Sequence, residues 1–402
     1  MNQNKKYKES KKNYLGSIPD HWVLSKNRYY LKHKKNGVNN SDDTNVLTLT
    51  TKGIKIKKDL SFGKSTESYI GHQLVDKGDI VFTPRDFDQT PILSDVSKYD
   101  GCISNLYIVD ETKDQLHNHF LNYYWYGLKY SCDYFKKLSH GIRYSFTRAQ
   151  FDEIPLLIPP LKEQKLISQY LDRKTEQIER LVEKIQKKVE LIEEQRTTLI
   201  NKCVTEGLDL SASMKDSGAD WIDKIPKHWR IIKPKYLLNR VTRPVEEDDE
   251  VVTCFRDGIV TLRKNRRVDG FTISIKEHGY QQVRPGDLVI HEMDGFAGAI
   301  GISDSKGKCT PVYTVIEPDR NNNLQYMAFL LNVMANTGKI ESLARSIRER
   351  TTDFRWNTWS NIKLPNPPLK EQDLIVNFLE KKNKVYDKLV ELYKQKKQNL
   401  IE

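Results

Sequence analysis

Pro159-Pro160-Leu161-Lys162-Glu163-Gln164 returns letter for letter as Pro367-Pro368-Leu369-Lys370-Glu371-Gln372, 208 residues further on. An identity of that kind invites a search for the same offset elsewhere, and the offset recurs. Ile18-Pro19-Asp20-His21-Trp22 returns as Ile225-Pro226-Lys227-His228-Trp229, 207 residues later, and Lys8-Glu9-Ser10 as Lys215-Asp216-Ser217. In mid-domain, Val75-Asp76-Lys77-Gly78-Asp79-Ile80-Val81-Phe82 aligns with Val283-Arg284-Pro285-Gly286-Asp287-Leu288-Val289-Ile290. In both, a Gly-Asp turn feeds an apolar strand. The chain is written twice: each half reads as a mixed domain of short strands and a few helices, a Pro-Pro stop, and a helix. This is an α+β class with an internal repeat.

Past Pro160 the apolar positions Leu171, Ile178, Ile185, Ile192 and Leu199 are seven apart, with a second file at Val182, Val189 and Cys203 that is interrupted at Arg196. That is a heptad seam. A helix from Glu163 to Cys203 would be roughly 60 Å long at about 1.5 Å per residue, and its stripe needs a partner. The second copy offers Leu379, Tyr386, Tyr393 and Leu400, which stand 208 residues after Leu171, Ile178, Ile185 and Ile192. Packed as an antiparallel coiled coil, the two helices would bury both seams and relate the halves by a pseudo-two-fold axis; a coiled coil with another chain is the alternative. The organisation expected is a first domain over 1–158, a central spacer helix over 159–206, a Gly/Ser/Asp-rich linker over 207–220, a second domain over 221–366 and a distal spacer helix over 367–402.

A length of 402 residues suits two domains plus connections. Lys and Arg outnumber Asp and Glu by 66 to 54, a net charge of +12 that favours an anionic partner such as nucleic acid or an acidic membrane surface, between which charge alone does not choose. Met1 to Lys12 is polar and Lys-rich, and no long uncharged apolar run follows, so neither secretion nor membrane spanning is expected and a cytoplasmic location is. Five scattered cysteines with no C-x-x-C spacing read as buried free thiols.

Signals for catalysis fail on their own terms. Asn366-Pro367-Pro368-Leu369 brushes the Asn-Pro-Pro-aromatic box of adenine methyltransferases but ends in Leu, and its first copy begins with Ile158. Asp152 with Glu163-Gln164-Lys165 has a nuclease-like spacing, yet Asp373 replaces Lys165 in the repeat, and a helix-start role suits Glu163 better. Gly63-Lys64-Ser65 lacks the upstream glycine of a phosphate loop, where Lys58 stands instead. The repeated His21-Trp22 and His228-Trp229 read as packing anchors at each domain entrance.

With two Ile-Pro-x-His-Trp entries, two Pro-Pro-Leu-Lys-Glu-Gln boxes and a heptad helix after each box, nearly the whole chain resembles the specificity subunit of Type I restriction-modification systems. The resemblance implies two target-recognition domains, each reading one half of an asymmetric bipartite sequence in double-stranded DNA. It implies helices that set the spacing and dock two methyltransferase (modification) subunits, and restriction/translocase subunits that join them in a prokaryotic cytoplasm. It implies no catalysis and no cofactor of the chain's own, with S-adenosylmethionine, ATP and Mg on the partner subunits. One departure is that the first helix runs on through Gln195-Arg196-Thr197-Thr198-Leu199-Ile200 to Gly207, whereas most of that segment has no counterpart before Glu402.

Arg suits guanine edges, whereas Lys, Ser and Thr more often hold phosphates. Candidates for DNA contact in the first half are Lys52, Lys55, Arg85, and Arg143, Tyr144, Ser145 and Arg148 in one loop. In the second they are Arg256, Arg263, Lys264, Arg266, Arg267, Arg345, Arg348 and Arg355, with Phe354 placed 208 residues after Phe146. Singly, each basic residue reads more readily as a solvated side chain; as clusters they suit phosphate. Candidates for the spacer and partner surface are Leu161, Glu163, Gln164, Leu171, Ile178 and Ile185, then Leu369, Glu371, Gln372, Leu379 and Tyr386. Two other readings compete: a fragment of a single-chain restriction-methylation enzyme, and a coiled-coil adaptor without DNA specificity. A cofactor or nuclease motif would favour the first, and salt-insensitive, unselective DNA binding the second.

Overall fold

The computed structural model of the chain describes residues 6–34, 38–42, 44–58, 68–87, 90–138, 145–266, 278–343 and 354–401. It divides into two compact units, Met1–Arg180 and Leu181–Glu402, with the boundary inside the long helix Leu161–Glu206.

In the first unit, strands Tyr7–Glu9 and Ser17–Pro19 form a hairpin, and Val23–Lys26 pairs with Pro155–Ile158. The central sheet is antiparallel in the order Leu31–His33, Ile108–Thr112, Ile80–Phe82, Ser94–Val96. Two further two-stranded pairs stand apart from it, Leu47–Thr50 with Gly53–Ile56 and Gln73–Val75 with Gly101–Ile103. Alternation along Leu47–Thr50 sends Leu47 and Leu49 to an aliphatic core with Val75, Val81, Ile103 and Val109. A second core is aromatic, with Phe82, Phe87, Trp125, Phe135 and Phe151 fully buried. Helix Asn118–Tyr130 supplies Trp125 to it.

The second unit repeats these pairings strand for strand: Met214–Ala219 with Ile222–Pro226, and Arg230–Ile232 with Leu364–Asn366. Its sheet runs Asn239–Val241, Tyr313–Glu317, Leu288–His291, Ile300–Ile302, and the outer pairs are Val252–Cys254 with Val260–Leu262 and Gln281–Val283 with Gly307–Cys309. The linker expected over 207–220 is shorter than that, because Met214–Ala219 is a paired strand of the second unit. Ser and Gly there shape an irregular register between Asp216 and Ala219 instead of a loose tether.

Both Pro-Pro-Leu-Lys-Glu-Gln boxes are joints between sheet and helix. The carbonyls of Pro160 and Pro368 open the helices Leu161–Glu206 and Leu369–Ile401 by accepting from the following backbone. Gln164 is fully buried; its Oε1 accepts from the His117 N–H at 2.8 Å, and its Nε2 donates to the carbonyls of Gln115 and Pro159. Gln372 repeats the clamp, accepting from the Asn323 N–H at 2.9 Å and donating to Pro367 O and Asn366 Oδ1. The first helix ends at Gly207, whose φ of +79° is the left-handed stop that glycine adopts without strain.

Within the second unit, the C-terminal half of the first long helix runs antiparallel to the second. Lys397 Nζ donates to Gln186 Oε1 at 2.9 Å, the Lys188 ammonium lies over the Tyr393 ring, and Arg196 reaches Asn383 and Asp387 at 3.0 and 2.8 Å. Val189 and Ile192 are buried along that contact. Arg196, which interrupts the apolar file in sequence, is its cross-helix polar tie. Leu379, read as a seam residue, belongs instead to the domain core with Ile375, because the helix starts inside the unit before it emerges. Among the described residues no helix is long and apolar enough to cross a membrane. All five cysteines are free, and four of them are buried.

Candidate nucleic-acid interface

In the first unit Lys52 sits at the turn of the hairpin Leu47–Thr50/Gly53–Ile56, and Lys55 lies on its exposed face. The turn is pinned to the neighbouring sheet: the Ile54 N–H donates to Asp95 Oδ2 at 2.8 Å, and a Cβ on Gly53 (φ +85°) would stand 2.4 Å from that oxygen. Only glycine suits both the backbone conformation and the approach. Arg85 follows strand Ile80–Phe82, and its backbone bridges to Ser145. Lys52, Lys55 and Arg85 are exposed and have no side-chain partner among the described residues.

The segment containing Ser145 is anchored immediately afterwards. The Phe146 N–H donates to Pro84 O at 2.8 Å, and its ring stacks on Phe87 with centroids 4.1 Å apart. Thr147 then caps helix Arg148–Asp152 with a capping box that uses Gln150. Arg148 is spent inside the protein. Its guanidinium holds the fully buried Asp110 carboxylate with two bonds of 2.6 and 2.8 Å and also bonds Asp152 and His33. A buried carboxylate requires such a partner, so Arg148 fixes the loop's exit instead of facing outward. Asp152, tied to Arg148, and Glu163, tied to His21 and Trp22, serve separate contacts and form no joint nuclease-like site.

In the second unit the same strands carry different side chains. Arg256, in the hairpin turn, bonds Asp294 at 2.9 Å, and Arg266 bonds Asp257 while lying 4.5 Å from the Phe255 ring centroid. Phe255, Arg256, Asp257 and Arg266 border an open recess of about 420 Å³. These ion pairs are solvent-exposed, and such pairs contribute only about 0–1 kcal/mol, so a phosphate can displace the carboxylate at little cost. Arg263 Nε donates to Thr253, and Lys264 pairs with Glu250, which turns both toward the start of the hairpin. Arg355 precedes the short helix Trp356–Trp359, next to Phe354, whose N–H donates to Glu292 O at 3.0 Å. That bond repeats the Phe146–Pro84 anchor 208 residues on. Arg143, Tyr144, Arg267, Arg345 and Arg348 lie outside the described residues.

Sequence reading passed over the residues that hold these loops, among them Asp110 and, in the second unit, His291. His291 Nδ1 accepts from the backbone N–H groups of Met293 and Asp294 at 3.2 and 3.1 Å, so it is unprotonated there. Burial lowers its pKa from the usual imidazole range; the Asp294 carboxylate opposes that shift and the Arg256 guanidinium reinforces it. The unfolded imidazole titrates near about 6.5 and binds protons more readily than the folded one, so this contribution is present above that pH. It is lost as pH falls through the lower folded value. Thermal melts at pH 7 and pH 5 are expected to show a larger acid-induced loss in wild type than in His291→Asn, whose amide oxygen can accept without titrating. Equal losses would mean that the imidazole does not govern this loop.

The spacer candidates divide by exposure. Gln164, Gln372 and Leu379 are buried within their own units, whereas Leu161, Ile178 and Leu369 are exposed and Leu171, Ile185 and Tyr386 partly so. The helix-start reading of Glu163 is incomplete: its carboxylate accepts from His21 Nε2 and Trp22 Nε1, both at 2.9 Å, and Glu371 repeats the contact with His228 at 2.8 Å. His21 and Trp22 of the first entry motif, and His228 of the second, are thereby tied to the boxes.

Residues 23–191 match the sequence profile of the Type I restriction modification DNA specificity domain. The Type I restriction enzyme MjaVIII specificity subunit of Methanocaldococcus jannaschii is 24% identical over 318 residues, covering 75% of this chain and 71% of that protein. A solved chain from a study of complex assembly and conformational transition of the type I R-M system shares the fold with a TM-score of 0.62 at 14% identity, over 95% of each chain. The HsdS subunit from Thermoanaerobacter tengcongensis does so with a TM-score of 0.51 at 15% identity, over 96% of each.

Proposed function

We propose that this chain, whose residues 23–191 match the Type I restriction modification DNA specificity domain, is a specificity subunit of such a system, and that it divides the work of recognition as follows. Each unit reads one half of a bipartite sequence in double-stranded DNA, and the long helices set the spacing and dock two methyltransferase subunits. Restriction/translocase subunits join that assembly, and S-adenosylmethionine, ATP and Mg act on the partners, this chain being non-catalytic.

The observation that carries the reading is the repeat itself. Among the described residues the named strands pair alike in the two units and each unit has its own box clamp, yet the side chains on the matched hairpin turns differ: Thr51-Lys52 before Gly53, Arg256-Asp257 before Gly258. One scaffold presented twice with unlike loops is what an asymmetric bipartite target requires. Lysines and arginines on those loops supply phosphate attraction, and the arginines can read guanine edges.

The test is co-expression with a methyltransferase partner and mapping of methylated positions, comparing wild type with a chain whose residues 221–366 are exchanged for those of a relative. A bipartite motif in which one half alone changes supports the assignment. A motif that changes in both halves, or no motif, overturns it.

A further inference from the structure

The hairpin turns occupy matched places in the two units but hold their cations differently. In the second unit the turn is closed on itself: the Phe255 N–H donates to Ile259 O and the Gly258 N–H to Phe255 O, both at 2.9 Å. It also rests on a neighbouring loop, since a Cβ on Gly298 would stand 2.7 Å from the Arg256 carbonyl oxygen. On this base Asp257 accepts from the Ile259 N–H at 3.2 Å and from both Nη groups of Arg266, Nη1 to Oδ1 at 2.9 Å and Nη2 to Oδ2 at 2.8 Å. The same guanidinium lies 4.5 Å from the Phe255 ring centroid. Held by a carboxylate at one edge and by a ring on one face, it has little side-chain freedom left to lose on binding. Counting back from Gly53 and Gly258, the first unit has Lys52 where the second has Asp257, and Thr50 where it has Phe255. Lys52 and Lys55 therefore have no such cradle.

A guanidinium carries five N–H donors, and Asp257 takes two of them. The Nε–H and the outer Nη–H beside it form a second edge that has no partner among the described residues. An edge of that shape matches O6 and N7 of guanine. The open recess of about 420 Å³ bordered by Phe255, Arg256, Asp257 and Arg266 gives a base edge room to approach. Charge decides between a base and a phosphate. Arg266 and Asp257 together are close to neutral, so a phosphate gains little there unless it expels the carboxylate, and expulsion also breaks the Ile259 bond. A neutral base edge needs no exchange. Arg256 is the better phosphate ligand: its side chain is 67% exposed against 37% for Arg266, and one bond of 2.9 Å ties it to Asp294.

We propose that Arg266, positioned by Asp257 and Phe255, reads a guanine through O6 and N7 in the half-site of the second unit, while Arg256 holds a neighbouring phosphate. The proposal rests on the assignment of one half-site to each unit, and it names one base pair of the second.

The test maps methylated positions in cells that co-express the full chain with a methyltransferase partner, the half-site of the second unit being identified by exchange of residues 221–366. Arg266→Ala and Arg266→Lys are each expected to relax one G·C position of that half, lowering discrimination there by about tenfold or more, because lysine keeps the charge but not the fork. Asp257→Asn is expected to relax the same position and no other. Arg256→Ala should lower methylation of the whole motif without changing it. With the purified complex, 7-deazaguanine at the relaxed position removes N7, and should weaken binding by wild type but not by Arg266→Ala. Recovery of the variants in complex with the partner identifies those that fold. A motif unchanged by Arg266→Ala or restored by Arg266→Lys overturns the proposal, as does a second half in which no 7-deazaguanine weakens wild-type binding. Those outcomes leave a bipartite motif standing, whereas the absence of any bipartite motif in wild type overturns the half-site assignment as well.

Discussion

Gln164→Leu and Gln372→Leu are each expected to destabilise their own unit by about 3 kcal/mol, from the loss of a clamp made by a buried amide. In the first unit the change strips an acceptor from the His117 N–H and a donor from the carbonyls of Gln115 and Pro159. Leucine fills similar space but satisfies none of them, and each orphaned group costs about 1–3 kcal/mol, softened where the chain relaxes toward water. For units of this size the melting temperature should fall by roughly 6–12 °C. Gln164→Glu is expected to be worse than leucine, since a carboxylate keeps the acceptor but aims a second oxygen at two carbonyls. Thermal or denaturant unfolding followed by hydrogen exchange at His117 and Asn323 checks this. Melts unchanged by the leucine variants would show that the boxes owe nothing to these bonds.

A second large effect is expected at the hairpin and the following loop of the first unit. Lys52→Glu, Lys55→Glu and Arg85→Glu together should weaken DNA binding by the assembled complex by about 10²- to 10³-fold at about 0.1 M salt. The slope of log affinity against log salt should flatten by about 3, roughly 0.9 for each phosphate contact removed. These three side chains are exposed and have no carboxylate partner among the described residues, so their charge is available to an anion. Arg148→Gln provides the contrast. Its positive charge is already committed to Asp110 and Asp152, so it should lower the melting temperature of the first unit with little change in the salt slope. An unaltered slope in the triple variant would move the DNA surface elsewhere.

The sequence by itself determined the duplication, the two helix starts and the heptad files, because these depend on local spacing: a Pro-Pro stop, a period of seven, an identical box. It also located the loops around Ser145 and Arg355, through the matched Phe146 and Phe354. Tertiary structure decided what each charged or polar residue does. Arg148 and Arg256 read alike as basic loop residues, yet one is bound to a buried carboxylate on a strand 38 residues earlier and the other lies on the surface. Gln164 and Gln372 read as helix-face residues, and the fold buries both amides against distant backbone. Trp22 and Trp229 are one letter in one motif, and only the docking of Val204 and Gly207 separates a sealed indole from a partly open one. The physical reason is common to all three. Propensity and periodicity act over a few residues, whereas desolvation and hydrogen-bond pairing depend on groups brought together from far along the chain.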